Sequence, residues 1–174
     1  MSNAQKIAIA DQMVEVRSQL RSLTSPSIQC VDQSPSYYGL LFSDRKPNGP
    51  FHSNDEIWDA ICHTLQVSLK TPLPRPVLEN LKKRISPCEP CVLTHCELNL
   101  GNIVVKDGSL VGVLDWESAA FYPIWHEYVS ASWGWTEDDT EWKKLLQERL
   151  ELHDCLRKYP DLDEKGREVL ESLS

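Results

Sequence analysis

The chain has 174 residues and a formal net charge of −8, with 41% hydrophobic and 25% charged residues, which is typical of a globular protein. This length predicts a single domain over residues 1–174 that buries its own core. The negative charge argues against nucleic-acid binding, and no apolar run reaches the about 18 residues of a membrane helix. Because the N-terminus does not resemble a signal peptide, we expect a cytoplasmic protein with six reduced cysteines.

Helix signals fill the first half of the chain. A capping pattern at Ser2 and Gln5 predicts a helix over residues 2–23, and the same pattern at Ser53 begins a second helix. The loop between them contains Tyr37–Phe42, which is interpreted as a short strand or a packed loop. The apolar positions expected to face the core in the second and third helices are Ile57, Trp58, Ile61, Leu65, Val77, Leu78, Leu81 and Ile85.

Strands open the second half of the chain and helices close it. Cys91–His95 predicts a short apolar strand, and Asp107-Gly108 between two apolar runs predicts a β-hairpin. We expect three further helices over Tyr122–Trp133, Glu137–Tyr159 and Asp163–Leu173. Helices on both sides of one hairpin predict a mostly helical α+β domain.

Four polar side chains stand out around the predicted hairpin, namely His95, Glu97, Asn102 and Asp115. Strand ends and hairpin mouths place side chains on one rim, so a loop that folds back after His95 can bring the other three together. On such a rim, one carboxylate can orient an attacking hydroxyl and accept its proton. An amide oxygen and a second carboxylate can hold Mg²⁺, and phosphoryl transfer is a reaction that uses such a group.

The segments "HCELNLGN" and "DWE" resemble the catalytic motifs of the aminoglycoside phosphotransferase and choline kinase family. The family pattern is His-x-Asp-x-x-x-x-Asn, a hairpin, and then an Asp that begins Asp-Trp or a similar pair. The segments "AAFYPIWHEY", "NGPFHSNDEIW" and "LRSL" are similar to fungal members of this family. The resemblance covers roughly residues 5–160, with a motif core over 91–135.

This resemblance implies the mostly helical C-terminal lobe of a protein-kinase-like fold, with ATP and Mg²⁺ as cofactors and a small-molecule hydroxyl as acceptor. Glu97 takes the position of the catalytic base, and Asn102 and Asp115 take the positions that hold the metal and its nucleotide. His95 matches a mainly structural histidine that supports the loop. Glu117 follows the metal-binding Asp and is expected on the substrate side.

Two departures from the family pattern predict weakened or lost activity. Glu97 stands where the family has Asp, and its side chain is longer by one methylene, or about 1.5 Å. The N-terminal lobe that covers the nucleotide is expected to be missing, because no Gly-rich loop and no strand Lys precede His95. The alternatives are an inactive, truncated kinase-like binding module and a fragment of a longer kinase. A partner chain or a second copy is expected at the face of the missing lobe.

Other interpretations remain open for the cysteines and tryptophans. Cys88, Cys91, His95 and Cys96 are zinc-ligand types, and their alternative is a set of reduced structural thiols. The six tryptophans are expected to be mostly core anchors, although Trp116 or Trp135 offers an aromatic wall for a sugar or a cation.

Overall fold

The computed structural model describes residues 1–37, 46–68, 73–84 and 87–152. These residues form helices and short antiparallel strands joined by ordered loops. The helices are α1 (Asn3–Leu20), α2 (Asn54–Ser68), α3 (Arg75–Arg84), α4 (His126–Ser130) and α5 (Glu137–Leu152), with a 3₁₀ turn at Leu100–Asn102. The strands are β1 (Thr24–Ser25), β2 (Cys91–Thr94), β3 (Ile103–Lys106), β4 (Ser109–Val113) and β5 (Ala120–Pro123).

The predicted capping box at the start of α1 is confirmed. The Ser2 hydroxyl accepts from the Gln5 backbone N–H, and the Gln5 side chain accepts from the Ser2 N–H at 2.8 Å. The helix ends at Leu20, three residues earlier than predicted, and the chain continues into β1. At α2, the Ser53 hydroxyl caps the Glu56 N–H, but the Glu56 carboxylate accepts from the preceding residue, His52, instead of from Ser53.

The main core lies between α1 and α5. Trp142 and Leu146 of α5 are fully buried against one face of α1. The residues that α1 contributes to this core are Ile9, Ala10, Met13 and Val14. The predicted helix over Glu137–Tyr159 is therefore confirmed as far as Leu152. Residues 153–174, with the predicted helix at Asp163–Leu173, and most of Tyr37–Phe42 lie outside the described residues.

A three-stranded antiparallel sheet in the order β1-β2-β5 forms the second layer. Within it, Cys91 is paired with Pro123 and Thr94 with Ala120. The helix predicted over Tyr122–Trp133 is wrong at its start, because Tyr122 lies in β5 and the helix begins at His126. A short apolar run fits a buried strand and a buried helix equally well, and here pairing with β2 decides.

The hairpin predicted at Asp107-Gly108 is confirmed by β3 and β4, which pair in antiparallel register. Asp107 and Gly108 have φ angles of 51° and 76°, the left-handed conformation that a two-residue hairpin turn requires. With the β1-β2-β5 sheet, the architecture is a mixture of helices and small antiparallel sheets, and it contains more strand than the sequence predicted. In the part of the chain described above, no helix combines the length and apolarity needed to cross a membrane.

Candidate active site

His95 follows the last residue of β2 and is fully buried. Its Nε2 lies 3.0 Å from the Leu114 carbonyl oxygen, and its Nδ1 lies 3.2 Å from the Glu97 backbone nitrogen. A carbonyl only accepts and an N–H only donates, so Nε2 carries the proton and Nδ1 is the acceptor. Burial lowers the pKa of His95, which agrees with this neutral tautomer. The ring therefore joins the loop after β2 to the end of the hairpin.

Glu127 of α4 holds the start of the same loop. Its carboxylate is buried and accepts the backbone N–H groups of His95 at 2.9 Å and of Cys96 at 3.4 Å. Cys96 has a φ of 74°, a left-handed conformation that costs a non-glycine residue about 1–2 kcal/mol. The Glu127 carboxylate thus stabilises a turn of the backbone that sets the direction of the next side chain, Glu97.

Helix α5 holds the rest of the loop. The Trp142 indole N–H donates to the Leu98 carbonyl at 2.9 Å. The buried Asp139 carboxylate accepts the Leu100 N–H at 2.9 Å and the Trp135 N–H at 3.1 Å. Together with Glu127, these contacts fix both ends and the middle of a loop that has no regular structure before Leu100.

Glu97 and Asn102 are in contact through the folded-back loop. The Asn102 side-chain Nδ2 donates to the Glu97 carbonyl oxygen at 3.0 Å. The Asn102 carbonyl in turn accepts the Leu114 N–H at 2.7 Å. Asp115 directly follows Leu114, the residue whose backbone is bonded to Asn102. The loop and the hairpin end therefore share one rim.

Asp115 ends the hairpin with a φ of 63° and an exposed side chain. The next residue, Trp116, packs edge-on against His95 with ring centroids 4.6 Å apart, and its indole N–H donates to the Val113 carbonyl. Both Asp115 and Glu97 act electrostatically on His95, since each raises its pKa against the larger effect of burial. His95 thus lies under a rim that carries two acidic side chains.

The chemistry of these side chains fits Mg²⁺. The nitrogen of the Asn102 side-chain amide donates to the Glu97 backbone carbonyl, so the amide oxygen is the atom that remains for a ligand. Asp115 supplies a solvent-exposed carboxylate. Mg²⁺ prefers such oxygens and is commonly held by one or two protein ligands plus phosphates and waters. The described residues contain no cluster of three or more His, Cys, Asp or Glu that could hold a metal by themselves.

The zinc interpretation of Cys88, Cys91, His95 and Cys96 gains no support. Both ring nitrogens of His95 are already bonded within the protein. Burial raises the pKa of Cys88 to about 12 and that of Cys91 to about 11, and it raises the pKa of Cys96 well above its usual value. The thiolate form that binds zinc is therefore disfavoured at all three cysteines.

Several residues that support the site were not singled out in the sequence. Ser118 donates its hydroxyl to Glu97 Oε1 at 3.0 Å, while Glu127, Asp139 and Trp142 hold the loop backbone. Ser118 lies in a turn and the other three lie on helices, and only their long-range contacts reveal these supporting roles. Glu117, expected on the substrate side, is exposed.

The prediction that the tryptophans are mostly core residues is confirmed for only some of them. Trp58 and Trp142 are buried core residues. Trp116, Trp133 and Trp135 are 43%, 52% and 72% exposed, and the last two pack edge-on with ring centroids 4.4 Å apart.

A family model described as the phosphotransferase enzyme family (APH) matches residues 4–164. The chain belongs to this family. A search of curated proteins gives no match, and neither does a search of solved structures. The resemblance carried by the "HCELNLGN" and "DWE" motifs is thus confirmed at the level of the aminoglycoside phosphotransferase family, whose members use ATP and Mg²⁺.

Proposed function

We propose that this member of the phosphotransferase enzyme family transfers the γ-phosphate of ATP to a hydroxyl of a small molecule, with the described residues acting as a fungal-type, kinase-like C-terminal lobe. The observation that carries the proposal is the hydrogen-bonded rim of Glu97, Asn102 and the hairpin end at Asp115. Family membership supplies the reaction class, and the rim supplies the groups that this reaction needs.

Each side chain of the rim has one role in this proposal. Glu97 accepts a hydrogen bond from the acceptor hydroxyl, orients it, and takes its proton as the new bond to phosphorus forms. Asn102 and Asp115 provide the amide oxygen and the carboxylate that would hold Mg²⁺. When bound, this ion neutralises charge on the phosphates. His95 holds the loop and the hairpin end at a fixed separation, and Glu117 lines the acceptor side.

A comparison of two matched substitutions tests this proposal. Asp115→Asn removes the charge of the metal-binding carboxylate, whereas Asp107→Asn makes the same change eight residues earlier in the hairpin. Both positions have positive φ, which Asn tolerates, so both variants are expected to fold. We expect release of ADP from MgATP with a panel of hydroxyl compounds to fall by about 100-fold or more in Asp115→Asn. Asp107→Asn should match the wild type. No ADP above the blank in the wild type would refute the proposal.

A second candidate is an inactive module that binds another protein chain. The observation that favours it is an apolar hairpin face formed by Val104, Val111 and Leu114, which are 37%, 58% and 54% exposed. An apolar face of this kind is suited to a second copy or to a nucleotide-covering lobe on another chain. An unchanged melting temperature in millimolar MgATP, together with a dimer that Val111→Lys dissociates, would favour this candidate. A rise in melting temperature with MgATP would favour the enzyme.

A further inference from the structure

The Ser118 hydroxyl donates a hydrogen bond to Glu97 Oε1 at 3.0 Å. Both side chains are half-buried. In the described part of the chain, this is the one hydrogen bond made to the Glu97 carboxylate. The proposed base is therefore restrained by a single side chain.

The backbone around Ser118 is well fixed. Ser118 lies in the turn between Asp115 and β5, and this turn is closed by a hydrogen bond of 3.0 Å from the Ala119 N–H to the Trp116 carbonyl. Ala120, the first residue of β5, is paired with Thr94, and Thr94 is the last residue of β2 and immediately precedes His95. The Ser118 hydroxyl is thus held by the same strand pair that sets the position of the Glu97 loop.

A restraint of this kind matters more for Glu than for Asp. Glu has one more rotatable bond, so its carboxylate samples more positions unless something holds it. A hydrogen bond on Oε1 fixes the carboxylate and leaves Oε2 to accept the hydroxyl that is to be deprotonated. Because a misplacement of about 1 Å can cost on the order of 100-fold in rate, this restraint has kinetic consequences.

We propose that Ser118 is a positioning residue, which directs the longer Glu97 side chain at the acceptor hydroxyl. This inference rests on the proposed phosphotransferase function. Ser118 does not touch the reacting atoms, and it acts only through Glu97.

The test compares Ser118→Ala with Ser118→Thr in the hydrolysis of MgATP, where water replaces the unidentified acceptor. Water also needs Glu97 for its orientation, whereas nucleotide binding depends on Asn102 and Asp115. We expect Ser118→Ala to lower kcat by about tenfold and to leave the KM for MgATP unchanged. Ser118→Thr keeps the hydroxyl and should restore kcat to within about threefold of the wild type.

Different results would overturn the inference in distinguishable ways. An unchanged kcat in Ser118→Ala, or a Thr variant as slow as the Ala variant, would refute the positioning role while the proposed function stands. A phosphate-sized mass increase on incubation with MgATP that is absent in Ser118→Ala would refute it too, because Ser118 would then be an acceptor itself. Wild-type protein that releases no ADP from MgATP, either with water or with the panel of hydroxyl compounds, would refute the proposed function, and the role of Ser118 with it.

Discussion

At the scale of single residues, His95 shows how a buried polar side chain has both of its ring nitrogens hydrogen-bonded within the protein. Its two nitrogens have opposite roles, a donor to Leu114 and an acceptor from Glu97, and both bonds are available only in the neutral form. The sequence predicted a supporting role for this histidine from the family resemblance. The structure supplies the physical reason, which is that one ring connects the loop of the proposed base with the strand that leads to Asp115.

A substitution of His95 should therefore lower stability. His95→Phe keeps a planar ring but leaves the Leu114 carbonyl and the Glu97 N–H without their partner. We expect the free energy of unfolding to fall by about 2 kcal/mol, measured by urea denaturation. The same replacement at the exposed His63 of α2 is the control and should change it by less than about 0.5 kcal/mol. Equal effects at the two positions would contradict the role given to His95.

At the scale of elements, helices α4 and α5 hold the loop that carries the "HCELNLGN" motif. Glu127 of α4 accepts two N–H groups at the start of the loop, and Asp139 and Trp142 of α5 hold its later part. Lys143 is buried nearby and lies within electrostatic reach of both Glu127 and Asp139. Two buried carboxylates and one buried ammonium thus support a single loop, and the cation offsets part of the cost of burying the anions.

Removal of the Glu127 side chain should increase amide exchange in this loop and leave exchange in the hairpin unchanged. In Glu127→Ala we expect the His95 and Cys96 amides to exchange with solvent at least about tenfold faster, because each loses its acceptor. The Leu110 amide, which belongs to β4 and donates to the Gln12 side chain at 2.9 Å, should keep its protection. Glu148→Ala, an exposed position on α5, is the matched control and should alter none of the three. Amide exchange measured by NMR would contradict the assignment if the two loop amides stayed protected in Glu127→Ala.

The elements also show what the sequence could and could not predict. The capping box at Ser2 and the turn at Asp107-Gly108 were predictable because each depends on a few adjacent residues with a defined backbone requirement. The strand β5 was missed because its identity depends on pairing with β2, about 30 residues away. In the same way, the spacing of Glu97, Asn102 and Asp115 could be read from a motif. The contacts that Ser118 and Glu127 make with the loop could not be read in this way, since they join separate segments of the chain.

At the scale of the whole molecule, the packing of α4 against the sheet buries a second histidine and links stability to pH. His126 is 2% exposed and stacks on Tyr122 of β5 with ring centroids 4.5 Å apart, and its Nδ1 lies 4.0 Å from the Cys96 sulfur. Burial lowers the pKa of His126 from 6.5 to about 3. The folded protein therefore keeps this ring neutral at pH values where the unfolded chain protonates it.

This difference fixes the direction of the pH dependence. Between pH 6.5 and about 3 the unfolded state binds the additional proton, so the free energy of unfolding falls as the pH falls. At about 1.4 kcal/mol per pH unit, His126 alone should cost about 2 kcal/mol at pH 5 relative to pH 7. His95 acts in the same direction, because its pKa is also lowered by burial. Urea denaturation at several pH values between 5 and 7 measures the slope, in a range that lies above the usual carboxyl pKa values.

His126→Phe provides the decisive comparison, since a phenyl ring keeps the stacking on Tyr122 but cannot bind a proton. The variant should lose most of the decline between pH 7 and pH 5, whereas replacement of the exposed His63 should leave the decline as it is in the wild type. A wild-type protein equally stable at the two pH values would mean that the folded state admits a proton at this site. The His126 ring would then not be enclosed between α4, β5 and the Cys96 turn. The packing around the start of the Glu97 loop would in that case be looser than the contacts of His126 indicate.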